Sequence, residues 1–155
     1  MSKTTALSLA VGLLSLVALP AYPQQRDLQG AIKAYVSKQG PLSEKPTQVM
    51  ADLDGDGHPE AIVTFCIDEN MPGGKNEGAN NPANVHCHLS VFRQTKDQWG
   101  VVAKMNLGQG QLREIKGGKI YVETLTFAAN DPLCCPSQKR VVAVELKGGK
   151  LVPIR

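Results

Sequence analysis

Nine residues near the middle of the chain strongly constrain its local fold, because their acidic side chains recur at a regular spacing. Residues 52–60 have acids at the first, third, fifth and ninth positions and a glycine at the sixth. A loop with this spacing gathers oxygen ligands around a hard cation such as Ca²⁺, and glycine permits the sharp turn. The expected ligands are the backbone carbonyl oxygen of His58 and the carboxylates of Asp52, Asp54, Asp56 and Glu60.

The loop differs from an EF-hand in its flanks and in its closing ligand. Position twelve, a bidentate glutamate in an EF-hand, is Val63 here, and the flanking segments have the composition of strands. This strand-loop-strand pattern resembles the calcium motif of FG-GAP and VCBS-type repeats. Only one copy occurs, so no propeller is predicted. The alternative is a hydrophilic turn without a cation, although four neighbouring carboxylates repel one another.

The N-terminal residues have the pattern of a secretory signal peptide. An early lysine is followed by apolar or small residues at 5–19, and Pro20-Ala21 ends the run. We expect a signal peptide at residues 1–21 and a single secreted domain at residues 22–155. The run is short for a membrane anchor, and no stop-transfer pattern follows it. A periplasmic or secreted protein without a membrane anchor is therefore expected.

The net charge gives no indication of a nucleic acid partner. The chain has 17 basic and 14 acidic side chains, which gives a formal charge of +3 at pH 7. This weak excess is spread along the chain and forms no basic run. We expect the partner to be an unknown protein or another component of the bacterial envelope, and not a nucleic acid.

The four cysteines are expected to form disulfides in an oxidising compartment. Cys66 ends one predicted strand and Cys87 begins the next, so a bridge between them would close the intervening loop. Cys134 and Cys135 would then form a vicinal bridge. In the other arrangement each adjacent cysteine pairs with one of the two distant ones, and the residues alone leave this choice open.

The C-terminal part contains a distinctive turn sequence, Asn-Asp-Pro-Leu-Cys-Cys-Pro-Ser, at residues 130–137, and a Gly-Gly-Lys-Leu sequence follows at residues 148–151. Both resemble a family of uncharacterised exported bacterial proteins with an N-D-P-x-C-C-P-[ST] turn, some of which have a similar calcium-like loop upstream. Some members have the cysteine pair without other cysteines. The resemblance therefore implies Cys134–Cys135 and Cys66–Cys87 bridges, but it implies no activity.

Hydrophobic periodicity predicts an α+β fold, which is mainly an antiparallel β meander with one N-terminal helix. The helix is expected at residues 26–38, and Gly40-Pro41 stops it. Its apolar stripe consists of Leu28, Ile32, Tyr35 and Val36.

Alternating apolar residues predict about seven strands, and two Gly-Gly pairs suit hairpin turns. Four alternate residues should share one face of their strand: Val101, Ala103, Met105 and Leu107. The predicted strands are 47–53, 60–66, 87–93, 98–107, 110–115, 119–127 and 138–147, with a short end at 151–154.

One long irregular stretch, residues 67–86, is rich in Gly, Asn and Pro. Loops of this length inside a domain are usually functional or disordered. A binding loop tethered by a disulfide and a surface insertion without fixed structure are equally compatible with the sequence.

Two histidines, His86 and His88, alternate on a predicted strand and could chelate a transition metal from one face. A complete site needs more ligands, and His58 is the remaining histidine of the chain. We therefore interpret the pair as outward-facing strand residues.

Catalytic motifs are not found in the sequence, which has no G-x-S-x-G elbow and no H-E-x-x-H helix. Oxidised cysteines would provide no nucleophilic thiol, so we expect a protein that is not an enzyme. The favoured hypothesis is an exported, calcium-stabilised binding or accessory domain. The alternative is an inhibitor or immunity-type protein that plugs a secreted hydrolase with the long loop. An enzyme with unrecognised catalytic residues is the third possibility.

Overall fold

Eight antiparallel strands and one α-helix make up the computed structural model, which describes residues 23–154. The expected signal peptide at residues 1–21 lies outside the described residues. The α+β prediction is confirmed, with eight strands instead of about seven because the C-terminal end forms a full strand. The elements are α1 (Pro23–Val36), β1 (Thr47–Ala51), β2 (Glu60–Asp68), β3 (Val85–Thr95), β4 (Gln98–Gly108), β5 (Gln111–Lys116), β6 (Lys119–Thr126), β7 (Gln138–Lys147) and β8 (Lys150–Pro153).

The strands form two sheets rather than one continuous meander. Sheet 1 has the order β1-β2-β3-β4 and sheet 2 the order β5-β6-β7-β8. The chain passes from one sheet to the other at Gly108 and Gly110. A Cβ atom on Gly110 would collide with the carbonyl oxygen of Glu123 in β6, so the crossing requires glycine.

The helix packs on the outer face of sheet 1 through the predicted apolar stripe. Leu28, Ile32 and Val36 are buried, and Tyr35 meets Phe92 edge to face with ring centroids 5.5 Å apart. The helix begins three residues before the predicted start and ends two residues before the predicted end. The strand residues buried against it are Ala61, Val63, Phe65, Ile67 and Phe92.

A second core lies between the two sheets. Leu89 and Val91 of sheet 1 are fully buried there with Ile120, Val122 and Val144 of sheet 2. Burial of each such side chain contributes roughly 1.5–3 kcal/mol before the entropy of ordering is subtracted. Sheet 1 is therefore covered on both faces, by the helix and by sheet 2.

The predicted face of β4 is wrong at one position, Val101. This residue packs on the helix side, whereas the other three residues of the predicted set pack toward the core between the sheets. The pairing of β3 with β4 shifts between Val91, opposite Ala103, and Phe92, opposite Val101, so that Val102 is an extra residue. One extra residue reverses the alternation beyond it.

The two Gly-Gly pairs form the expected hairpins, joining β5 to β6 and β7 to β8. Their φ angles lie between 55° and 74°. Two-residue hairpin turns of type I′ require positive φ at both central positions, which glycine adopts without a steric penalty.

Candidate cation site in the loop between β1 and β2

The loop between β1 and β2 is folded around its own carboxylates. Asp52 accepts the N–H of Gly55 on Oδ1 (2.8 Å) and that of Gly57 on Oδ2 (3.0 Å). Asp56 accepts the N–H of His58 on Oδ1 at 2.7 Å. Hydrogen bonds from an aspartate to backbone a few residues later stabilise tight turns. The acidic residues therefore shape the loop in which they lie.

Three of the predicted ligands converge on one point. Carboxylate oxygens of Asp52, Asp54 and Glu60 lie within 4.8 Å of one another. The two aspartates are exposed, and Glu60 is fully buried. Asp56 and the imidazole of His58 lie outside this group, although both remain in the same loop. A group of carboxylate oxygens this close suits a hard cation.

Arg93 of β3 joins the acidic cluster, a partner that the sequence analysis missed. Its Nε donates to Oε1 of Glu60 at 2.8 Å, and its Nη2 pairs with Asp54. Glu60 accepts the N–H of Leu53 on its other oxygen at 2.9 Å. Both oxygens of the buried carboxylate are thus hydrogen-bonded, as burial of a charged group requires. An arginine directly after the apolar residues Val91 and Phe92 of β3 is the local hint of this role.

The charge of the loop is only partly balanced by Arg93. The loop has four carboxylates between positions 52 and 60, and Arg93 pairs with two of them, Asp54 and Glu60. Repulsion among the remaining charges disfavours the folded loop. A divalent cation beside Asp52 and Asp54 would offset most of this repulsion. Their oxygens could bind the cation in addition to their hydrogen bonds, because a carboxylate oxygen that accepts one hydrogen bond has a second lone pair.

The four cysteines pair as Cys66–Cys87 and Cys134–Cys135. This is the connectivity that the family resemblance implied. Cys66 and Cys87 are also direct cross-strand partners of β2 and β3. Paired cysteines are compatible with an extracellular or otherwise oxidising location.

Asp131 closes the turn that holds the adjacent cysteines. Its Oδ2 accepts the N–H groups of Ala128 and Ser137, and its Oδ1 accepts the Ser137 hydroxyl, each at 2.7 Å. The hydrogen bond from the Ala128 backbone, followed by those from Ser137, lowers the pKa of Asp131 below its ordinary value. The aspartate and serine of the Asn-Asp-Pro-Leu-Cys-Cys-Pro-Ser sequence therefore fix its ends relative to each other.

The long loop between β2 and β3 has a defined hydrogen-bond network of its own. Asn70 donates from Nδ2 to Asp68 Oδ1 (2.8 Å) and to the carbonyl oxygen of Asn81 (3.0 Å), and its Oδ1 accepts from Asn84 at 2.8 Å. Lys75 pairs with Glu69 at 3.7 Å. These contacts favour the interpretation of a tethered loop over that of an insertion without fixed structure.

A second buried carboxylate, Glu123 of β6, was also missed by the sequence analysis. It accepts from Arg113 at 2.8 Å, from Lys139 at 3.2 Å and from Gln111 at 3.3 Å. The hydrogen bond from Arg113, and then that from Lys139, lowers the pKa of Glu123. It lines a cleft of about 530 Å³ between the sheets, which the Cys66–Cys87 pair also lines. Its partners lie on β5 and β7, so only strand register reveals them.

The two strand histidines do not assemble a metal site with other side chains of the described range. Within residues 23–154, the loop triad is the only group of three or more potential metal-ligating side chains. His88 is half-buried instead of outward-facing, and its ring stacks on Phe65 with centroids 5.4 Å apart. Burial, and then the charges of His86 and Lys104, lower the pKa of His88.

Among the described residues, no helix combines the length and apolar character needed to cross a membrane.

Similarity to known proteins adds nothing to the geometry of the site. Comparisons of the chain with protein family models, curated proteins and solved structures find no match. A functional proposal therefore depends on the site itself.

Proposed function

We propose that this chain is an exported, periplasmic binding or accessory domain that is stabilised by Ca²⁺ and has no catalytic activity. The convergence of Asp52, Asp54 and Glu60 within 4.8 Å is the observation that carries the proposal. Asp56 and the carbonyl oxygen of His58 would add two further oxygen ligands from the same loop. Ca²⁺ accepts six to eight such ligands in flexible geometry, whereas Mg²⁺ demands a near-ideal octahedron.

Export is supported by the cysteines and by the signal-peptide pattern of the sequence. All four cysteines are paired, and disulfides persist mainly in oxidising compartments such as the bacterial periplasm. The resemblance of the Asn-Asp-Pro-Leu-Cys-Cys-Pro-Ser turn to exported bacterial proteins is in agreement. The same pairing leaves no thiolate nucleophile for catalysis.

Excess Ca²⁺ should raise the melting temperature of the secreted chain, residues 22–155, relative to chelator. An ion that binds only the native state at a hundredfold excess over its dissociation constant adds about 2.7 kcal/mol. For a domain of this size the shift should exceed about 5 °C. Thermal unfolding followed by circular dichroism measures it.

The matched variants are Asp54→Asn and Asp97→Asn. The first removes a ligand charge while keeping the side-chain shape, so the calcium-dependent shift should disappear. The second changes an exposed aspartate of the turn between β3 and β4, outside the loop, and should keep the full shift. Identical melting curves of the wild type in Ca²⁺ and in chelator would contradict the proposal.

The ordered loop between β2 and β3 favours one alternative, an inhibitor or immunity-type protein that binds a secreted hydrolase. Asn70 hydrogen-bonds with Asn81 and Asn84 and so joins the two ends of this loop, and a pre-organised loop loses less conformational freedom on binding. An inhibitor or immunity-type protein would also lack catalytic activity, and it would differ from the first proposal only in its partner.

An assay panel separates binding from catalysis. We expect no turnover of peptidoglycan, phosphoesters, peptides or glycosides in the presence of Ca²⁺. Inhibition of an added peptidoglycan hydrolase would favour the inhibitor. Turnover that one substitution abolishes at unchanged melting temperature would refute the non-catalytic proposal.

A further inference from the structure

The cleft between the two sheets has the size and the lining of a site for a small molecule. Its volume of about 530 Å³ lies within the range of such sites. Apolar side chains line it from both sheets and from the crossing between them, and the Cys66–Cys87 bridge adds a rigid apolar surface. The apolar side chains are Phe65, Leu107, Leu112 and Leu125. An apolar surface with a few convergent polar groups is typical of ligand sites.

The wall that sheet 2 contributes to the cleft carries an excess of positive charge. Arg113 and Lys139 both donate to the carboxylate of Glu123, at 2.8 Å and 3.2 Å, so two cations face one anion. Lys139 lines the cleft, and its side chain is 68% exposed. A lysine ammonium group has three N–H donors. Those that do not bond Glu123 are available to an anionic group in the cleft.

The buried carboxylate of Glu123 positions this cation. Buried ion pairs are often no more stabilising than apolar side chains of similar volume, so stability alone is a weak reason for a charge at a residue that is 5% exposed. Its hydrogen bond holds the Lys139 ammonium group beside the cleft. Titratable groups with perturbed pKa values in a cleft are typical of functional sites, and the pKa of Glu123 is lowered.

The wall on the side of sheet 1 carries the opposite charge. Glu44, in the segment before β1, is exposed and lines the cleft. Its Oε1 lies 4.0 Å from Sγ of Cys66, which is in a disulfide and has no proton to donate. Among the side chains that the structure describes, no basic group forms an ion pair with Glu44. The neighbouring Lys45 lines a separate pocket beside α1. The Glu44 carboxylate is therefore available to a cationic group.

We propose that the cleft binds a free dipeptide with apolar side chains. The ammonium group of the dipeptide pairs with Glu44, its carboxylate pairs with Lys139, and its side chains pack on the apolar lining. A single amino acid carries both charges on one carbon atom. A dipeptide separates them by about 7 Å when extended, which suits two walls from sheets that pack roughly 10 Å apart. The inference rests on the proposed binding function and deepens it by naming the ligand class.

Calorimetric titration of leucyl-leucine into the secreted chain, residues 22–155, tests the inference. The titrations are made in chelator, because neither Glu44 nor Lys139 belongs to the loop between β1 and β2. We expect one binding site per chain. N-acetyl-leucyl-leucine lacks the ammonium group and leucyl-leucine amide lacks the carboxylate, so each should bind the wild type roughly fivefold more weakly, or worse.

Two variants assign each terminus to its wall. Glu44→Gln should weaken binding of leucyl-leucine roughly fivefold or more and leave that of the N-acetylated dipeptide unchanged. Lys139→Met should weaken binding of leucyl-leucine to a similar extent and leave that of the amide unchanged. The matched controls are Glu114→Gln and Lys116→Met on β5, which change exposed charges outside the cleft and should leave every affinity unchanged.

Three results would overturn the inference. The first is the absence of saturable leucyl-leucine binding with a Kd below about 10 mM. The second is a dipeptide blocked at both ends that binds as tightly as the free one, since the charged walls would then not recognise its termini. The third is unchanged leucyl-leucine affinity in both Glu44→Gln and Lys139→Met. The calcium-dependent melting shift is measured separately, so a failure of the dipeptide site is distinguishable from a failure of the calcium proposal.

Discussion

Replacement of Glu60 by alanine should lower the free energy of unfolding by about 3 kcal/mol, in the lower part of the range for breaking a buried ion pair. The carboxylate is fully buried and accepts from Arg93 and from the Leu53 N–H. Its loss leaves a buried donor unpaired. The effect stays moderate because the Arg93 side chain is 33% exposed and keeps Asp54 as a partner.

Urea unfolding in chelator measures this effect, because the absence of Ca²⁺ isolates the ion pair from cation binding. Glu114→Ala is the matched control, since Glu114 is an exposed glutamate on β5. Its variant should stay within about 0.5 kcal/mol of the wild type. Equal stability losses for the two glutamate variants would mean that Glu60 has no special structural role.

The double variant Cys66→Ala/Cys87→Ala should lose about 3 kcal/mol, because this bridge closes a loop between residues 21 positions apart. The pairing of β2 with β3 continues to Asp68 and Val85, beyond the bridge, so the sheet should survive. Hydrogen exchange should rise mainly in residues 69–84. Urea unfolding and exchange mass spectrometry measure the two effects.

The second cysteine pair provides the control. A bridge between adjacent residues closes almost no chain, so Cys134→Ala/Cys135→Ala should change the free energy of unfolding by less than about 1 kcal/mol. Similar losses for both double variants would contradict the loop-closure explanation. Peptide mapping that links Cys66 or Cys87 to either adjacent cysteine would overturn the connectivity itself.

Local features were predictable because their physical cause lies within a few residues. The four acidic residues of the loop lie within nine positions, and three of them, Asp52, Asp54 and Glu60, converge as expected, whereas Asp56 does not join them. The helix stripe and the Gly-Gly hairpins were found for the same reason.

Features that depend on strand register were not predictable. Arg93 reaches Glu60 from 33 positions away, and Glu123 meets Lys139 only because β6 pairs with β7. The bulge that turns the Val101 side chain to the opposite face of β4 has no signature in the amino-acid sequence. The break into two sheets was missed because a meander has the same alternating pattern whether its strands share one sheet or two.

Calorimetric titration of Ca²⁺ into the chelator-treated secreted chain tests the central claim most directly. We expect one Ca²⁺ per chain, with a dissociation constant on the order of 10⁻⁴ to 10⁻³ M, as in extracellular calcium modules. Asp54→Asn should abolish the binding heat, whereas Asp97→Asn should keep it. No binding heat and no calcium-dependent change in melting temperature for the wild type would show that the loop between β1 and β2 is a turn held by Arg93 without a cation.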